Sequence, residues 1–233
     1  MTTNDSQRVL FVVTNHDQLG ATDEKTGYWL SEASHPYHVL TDAGFAVDFA
    51  SPEGGVAPVD PESEDLDDPI NEAFVESDAY TDQLQNTHPL DDIDPTAYEG
   101  IVLVGGHGPM WDFPDNEQLQ SLLAQIYESG GVVGAACHGS VGLVNVQLSN
   151  GDYLVDGKRL TSFTDEEEQE VALTDAVPFL LETKLEERGA DHHASDPWAE
   201  YVEVDGRLVT GQNPASAKAV GEALVRKLES SSA

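Results

Sequence analysis

Cys137 is the only cysteine of the chain, and it stands in the stretch Ala135-Ala136-Cys137-His138-Gly139. An apolar run ends at it and a glycine-punctuated run follows. That is the pattern of a nucleophile elbow, in which a strand turns sharply into a helix and holds its central residue in a strained conformation. Small residues two positions to either side, here Ala135 and Gly139, let the backbones approach. A thiol at such a turn gains from the helix N-terminus, whose free N–H groups and partial positive charge favour thiolate. A buried core cysteine has the same local composition. The turn Gly105-Gly106-His107-Gly108, which ends a second apolar run, weighs for the nucleophile, because the N–H of Gly106 with that of His138 would form an oxyanion hole. A phosphate cradle or a dinucleotide turn is the rival use of such glycines, but the chain has no Gly-x-Gly-x-x-Gly and no Walker lysine. His138 follows the cysteine directly, and neighbouring residues at a turn point in different directions, so a direct Cys137–His138 ion pair is not assumed. The histidine needs an orienting partner. Glu168, in "SFTDEEEQE", is a candidate, the alternative being a solvated acidic face.

The elements that must position these residues follow from hydrophobic periodicity. "RVLFVVT" (8–14) and "FAVDFAS" (45–51) read as buried strands, separated by a helix over "GYWLSEASHPYHVLTDAG" with Trp29, Ala33, Tyr37 and Leu40 along one face. "YEGIVLVGGHG" is a third strand running into the glycine turn. "NEQLQSLLAQIYESGG" is a helix with a glycine stop, and "VVGAA" is the strand that delivers Cys137. Helices are also predicted over 70–86 and 176–188, with a strand pair and a closing helix in "YVEVDGRLVTGQNPASAKAVGEALVRKL". The alternation predicts an α/β fold: a mostly parallel sheet with helices on both faces, with ligands bound beyond the carboxyl ends of the strands.

At 233 residues the chain fits one α/β domain spanning 1–233, with an acidic, proline-rich insertion at about 52–69 and an added hairpin at about 151–163. The 44 Asp and Glu against 10 Lys and Arg leave a formal charge of −34 spread over the whole length, which argues against a nucleic-acid ligand. Apolar runs argue for a folded core beneath an acidic surface, a composition that salt must screen and that is associated with halophiles. No segment approaches the ~20 apolar residues of a membrane span, so a soluble, cytoplasmic protein with no membrane partner is expected. One cysteine permits neither an internal disulfide nor a thiolate zinc cluster. His192 and His193, side by side, are poor chelating geometry, and no metal or other cofactor is assigned.

Six stretches, "KTGYWLSEASHPY", "AGFAVDFASPEGG", "GGHGPMWDFP", "GGVVGAACHG", "LTSFTDEEE" and "DGRLVTGQNPASA", resemble in order and over nearly the whole chain the DJ-1/PfpI superfamily, and within it the Hsp31-like proteins described as glutathione-independent glyoxalases and stress chaperones. The resemblance implies a flavodoxin-like three-layer sandwich of the class I glutamine amidotransferase type, and a homodimer. It implies that Glu32, from the first helix, reaches Cys137, that Glu168 completes a Cys137–His138–acid arrangement, and that Gly106 with His138 supplies oxyanion donors. By the same resemblance His107 and Trp111 line the pocket and His35 borders it. Glu32 by itself lies at the edge of the helix's apolar face, ahead of an interior proline, Pro36, that costs roughly 3 kcal/mol. The implied activity is a cofactor-free lyase that converts 2-oxoaldehydes such as methylglyoxal to 2-hydroxy acids (D-lactate) through a Cys137 hemithioacetal. The alternatives are a holdase chaperone or cysteine redox sensor, and a deglycase or an amidotransferase- or peptidase-like hydrolase. Class I amidotransferase chemistry takes a downstream His-x-Glu pair, which "HHASD" does not supply.

Overall fold

The computed structural model describes residues 7–231; the ends of the expected domain, 1–6 and 232–233, lie outside the described residues. Seven strands form one sheet: β1 (Arg8–Val12), β2 (Ala46–Ser51), β3 (His88–Pro89), β4 (Gly100–Leu103), β5 (Val132–Ala136), β8 (Val202–Asp205) and β9 (Leu208–Gly211). Their order is β3-β2-β1-β4-β5-β9-β8, and every pairing is parallel except β8 with β9. The central strands are continuous apolar runs because both of their faces are covered. In β1, Val9 and Phe11 pack into one core layer while Leu10 and Val12 pack into the other.

The first layer is closed by α1 (Leu30–Asp42), α2 (Pro69–Glu76), α3 (Asp78–Gln85) and α8 (Ala217–Ser231), the second by α4 (Pro109–Asp112), α5 (Glu117–Glu128) and α7 (Leu181–Glu187). This is the predicted three-layer α/β sandwich. α1 and α8 approach closely at Gly221, where a Cβ would stand 2.8 Å from the Cα of Pro36. Pro36 has no N–H to offer the carbonyl of Glu32, four residues earlier, so the helix turn that carries Glu32 lacks one ladder bond.

Several boundaries differ from the sequence reading. The first helix begins only at Leu30, because Trp29 is extended (φ −80°, ψ 122°) and its N–H donates to the Gly105 carbonyl at 2.9 Å instead of joining the helix. The helix expected over 70–86 is broken at Ser77, whose backbone is extended, and the one expected over 176–188 is confined to α7. The hairpin expected at about 151–163 is not formed. Its only strand, β6 (Arg159–Leu160), pairs in parallel with β7 (Asp191–His192), and the residues before it are turns, apart from Tyr153, which makes a single antiparallel bridge to Gln147; their Leu154 and Val155 fill the second core layer. The acidic stretch 52–69 is tied down rather than loose. Asp60 accepts from Thr26 Oγ1 at 2.8 Å and caps a short 3₁₀ turn, and Ser63 Oγ accepts the Leu30 N–H at 3.0 Å, pinning the start of α1. Among the described residues no helix is long and apolar enough to cross a membrane.

Candidate active site

β4 and β5 are neighbours in exact parallel register, so the chain leaves both at the same edge of the sheet. Beyond β5, Cys137 opens a 3₁₀ helix (Cys137–Leu143) with φ +53°, the left-handed conformation that a side chain adopts only under strain. Gly139 has to be small, since a Cβ there would lie 2.4 Å from the Leu103 carbonyl oxygen. Beyond β4, a Cβ on Gly105 would lie 2.1 Å from Glu32 Oε2 and 3.1 Å from Cys137 Cβ, so the absence of a side chain at 105 lets the carboxyl of α1 sit beside the cysteine. Gly106, at φ +98°, turns the chain away under Trp29.

The strained turn swings the cysteine toward its neighbour. Cys137 Sγ lies 3.3 Å from His138 Nδ1, His138 Nε2 lies 2.6 Å from Glu168 Oε2, and the other carboxylate oxygen, Oε1, lies 3.0 Å from His107 Nε2. The direct Cys137–His138 contact corrects the expectation that adjacent residues would diverge; the positive φ at Cys137 is the reason. Burial works to raise the Glu168 carboxyl, but His138 and His107 outweigh it and hold it at about 2. Burial, helped by the neighbouring His107, lowers His138 to about 4 against the pull of Glu168. At neutral pH the carboxylate is therefore ionised and His138 neutral. The Nε2 of His138 carries the proton that Glu168 accepts, leaving Nδ1 as a lone pair facing the thiol.

Glu32 is 1% exposed, and neither of its oxygens makes a hydrogen bond of normal geometry. Burial pushes its carboxyl up to about 8, with the Cys137 side chain and the Gly105 backbone pulling the other way. Burial, and next the Glu32 carboxylate, push the Cys137 thiol well up, while the His138 backbone N–H pulls it down. The elbow thus holds no standing thiolate of the kind expected from the helix N-terminus. Its 3₁₀ helix is short and buried, and desolvation outweighs the favourable dipole. Ionisation has to come from proton transfer to His138 Nδ1, and the protonated carboxyl of Glu32 beside the sulfur can donate a hydrogen bond to the thiolate so formed.

A cavity of about 70 Å³ lies over the cysteine, lined by Trp29, Gly106, His107, Cys137, His138, Phe163, Trp198 and two smaller side chains. A larger one of about 660 Å³ adjoins it, sharing Trp29, His107 and Val171. Cys137, His138, Glu32, Glu168, Gly106 and His107 therefore come together as the sequence reading expects. Trp111 and His35 do not. Trp111 stacks on His16 with ring centres 4.9 Å apart, because the short helix α4 turns it back toward the loop after β1. His35 pairs instead with Asp68 at 3.0 Å.

Sequence reasoning missed Trp29, Phe163 and Trp198. Trp198 (φ +63°) is held by its backbone N–H to Glu167 Oε1 at 2.8 Å and its indole to Glu170 at 2.6 Å. Glu167 is fully buried and also accepts from Gln212, Asn213 and the backbone and hydroxyl of Thr164. It anchors α6 (Asp165–Glu170), the helix that carries Glu168. Its signal was the capping-box spacing from Thr164 to Glu167. Among the described residues, His107, His138 and Glu168 also have ligand atoms within metal-binding distance of one another. Both carboxylate oxygens are already engaged by ring nitrogens, so the group is read as a hydrogen-bond network. His192 bonds Ser162 Oγ at 3.1 Å, away from His193, which pairs with Asp191.

The chain is similar over nearly its whole length to several known proteins. The Candida albicans protein named glyoxalase 3 is 31% identical over 95% of this chain and 98% of its own. A crystal structure of glyoxalase III from that organism superposes with a TM-score of 0.87, covering 95% of this chain and 97% of that one. A glutathione-independent glyoxalase of Saccharomyces cerevisiae is 33% identical over 91% of this chain and 93% of its own. The 24 kDa rapid encystment protein of Francisella tularensis is 41% identical with a TM-score of 0.93, covering 95% of this chain and 99% of that one. The description of the DJ-1/PfpI family matches residues 25–227, and with the elbow, the glycine turn and the three-layer sheet in place the chain belongs to the DJ-1/PfpI family.

Proposed function

We propose that this protein is a glutathione-independent glyoxalase, converting methylglyoxal and similar small 2-oxoaldehydes to 2-hydroxy acids without a cofactor, in defence against carbonyl stress. The observation that carries the reading is the chain Sγ–His138–Glu168, with contacts of 3.3 and 2.6 Å, set beneath a cavity that fits only a small molecule and beside a buried acid, Glu32. His138 Nδ1 takes the thiol proton as sulfur adds to the aldehyde carbon, and Glu168 stabilises the imidazolium. The new oxyanion lies against the backbone N–H groups of Gly106 and His138 and recovers the proton from His138, giving the hemithioacetal. Glu32 acts in the fraction of the protein that has lost its carboxyl proton, a fraction that grows as the pH nears its raised value of about 8; the carboxylate removes the hydrogen on that carbon and returns it to the adjacent carbon through an enediol. The resulting thioester is hydrolysed by water to the 2-hydroxy acid and free thiol. Atoms balance as aldehyde plus water to acid, and the redox change is internal to the substrate. The similarity to named glyoxalases over nearly the full chain supports the same reading. A homodimer is part of it, checked by sedimentation in molar KCl.

The test is lactate formation from methylglyoxal in molar KCl without glutathione, by wild type and Cys137→Ser. Turnover by the first and its loss in the second, with the fold retained, is the expected result, because a serine hydroxyl is far harder for His138 to deprotonate. Wild-type protein that makes no lactate, or a serine variant that keeps a large fraction of the rate, rules out this chemistry.

A further inference from the structure

The mechanism above uses Cys137, His138, Glu168 and Glu32, and leaves His107 without a task. Its position gives it one. His107 lines the small cavity over the cysteine, and it also lines the large adjoining cavity, which neither His138 nor Glu168 reaches. Its side chain is 12% exposed against 1% for His138 and 3% for Glu168. Its ring centre is 4.0 Å from that of His138, and its Nε2 is 3.0 Å from Glu168 Oε1. One carboxylate thus serves two imidazoles, of which one faces the sulfur and the other faces the remaining volume of the cavity. Apart from Cys137 itself, these two histidines are the only ionisable side chains that line that cavity among the described residues. Glu32 is packed beside the cysteine and is not part of the lining.

We propose, on the glyoxalase reading, that His107 is a further catalytic residue, which carries a proton between the two oxygen atoms of the substrate while Glu32 carries one between its two carbons. Isomerising a hemithioacetal to a thioester requires both transfers. The hydroxyl on the sulfur-bearing carbon must lose its proton, and the neighbouring ketone oxygen must gain one. With Nε2–H donated to Glu168, the other ring nitrogen of His107 is a lone pair that takes the hydroxyl proton, and the carboxylate balances the imidazolium so formed. As Glu32 removes the carbon-bound hydrogen, the C–H electron pair becomes the carbon–carbon double bond and the ketone oxygen takes the proton from His107. Glu32 then protonates the second carbon. The remaining oxyanion collapses to the thioester carbonyl, and both residues regain their starting protonation. No oxidant or outside base is needed. His138, whose Nδ1 is turned to the sulfur and whose Nε2 is bonded to Glu168, keeps the task of ionising the thiol.

His107→Gln retains a donor toward Glu168 and cannot exchange a proton, and His107→Ala leaves a space for added imidazole. Both are to be assayed as full-length protein in molar KCl, for lactate turnover and, by the rate of loss of free thiol on mixing with methylglyoxal, for adduct formation. We expect adduct formation within about two-fold of wild type in His107→Gln and a kcat reduced by about 10²-fold or more, the scale of general acid–base catalysis. We expect millimolar imidazole to raise the turnover of His107→Ala several-fold. A glutamine variant with near wild-type kcat overturns the proposal. So does an alanine variant that imidazole leaves unchanged, since the histidine would then be only a prop for Glu168. Wild-type protein that forms the adduct but releases no lactate would instead overturn the glyoxalase reading, and this role with it.

Discussion

At the scale of single residues the site sets two buried groups against each other. Glu32 is raised to about 8 in the folded chain from an ordinary value of 4.5, so between those pH values the folded protein holds a proton that the unfolded chain has released. Its contribution to stability is complete below that window and drains away as the pH climbs through it, by up to ~1.4 kcal/mol per pH unit. His138 runs the opposite way. Lowered to about 4 from 6.5, it is neutral where the unfolded chain is charged, and its contribution is present above that range and lost as the pH falls through it. Glu32→Gln removes the first effect and leaves the second. Urea unfolding of wild type and variant at pH 5 and pH 8 is expected to show the variant gaining on wild type at the higher pH. Parallel behaviour would mean that the acid is not held protonated. The same substitution is expected to reduce kcat by about 10²-fold, because glutamine keeps the shape and loses the exchangeable proton.

At the scale of elements, the helix α6 is short and strongly acidic, and it stays folded because Glu167 satisfies donors from three separate stretches of chain: Thr164, Trp198 and Gln212–Asn213. Glu167→Ala strands those buried donors and is expected to cost ~3–5 kcal/mol and to depress turnover by releasing Glu168. Glu166→Ala, on the exposed side of the same helix, is the control, and its unfolding curve is expected to stay close to wild type. This dependence on remote partners also explains how much could be read beforehand. The central strands β1, β4 and β5 were legible because each is a nearly continuous apolar run, whereas β3, only His88–Pro89, has no such run and was not foreseen; Cys137 and Gly106 were legible because small residues at fixed spacing have few other uses. The contact of His107 with Glu168 joins positions 61 residues apart, and nothing local announces it. Trp111 and His35 were misplaced because lying next to a motif in sequence does not say which way a helix turns its side chains. Trp198 was missed because its loop is positioned by Glu167 rather than by any pattern of its own. The parallel β6–β7 ribbon was misread as a hairpin because turn residues at 150–157 suggest a local return, while the true partner strand comes thirty residues later.

For the molecule as a whole, 34 excess negative charges outweigh any local ion pair, since 10 basic side chains cannot neutralise 44 acidic ones. Lowering KCl from molar to ~0.1 M lengthens the Debye distance from about 3 to about 10 Å, and repulsion between acids on neighbouring faces is no longer screened. The Tm is expected to fall steadily over that range, and a Tm that does not move would mean that the surface charge carries no structural cost. An uncharged aldehyde is indifferent to that field, so the dilution should affect the fold before it affects substrate capture. Cys137 remains the place where the chain gives up stability for geometry, with its backbone at φ +53° and an unbonded carboxyl packed beside it. Glycine accepts that backbone without strain, and an amide at position 32 carries no ionisation penalty. A directed-evolution campaign scored only on heat survival would therefore drift toward glycine at 137 and glutamine at 32, and its hardiest clone would be inert. Improving this protein's endurance demands a screen in which product is counted alongside soluble protein.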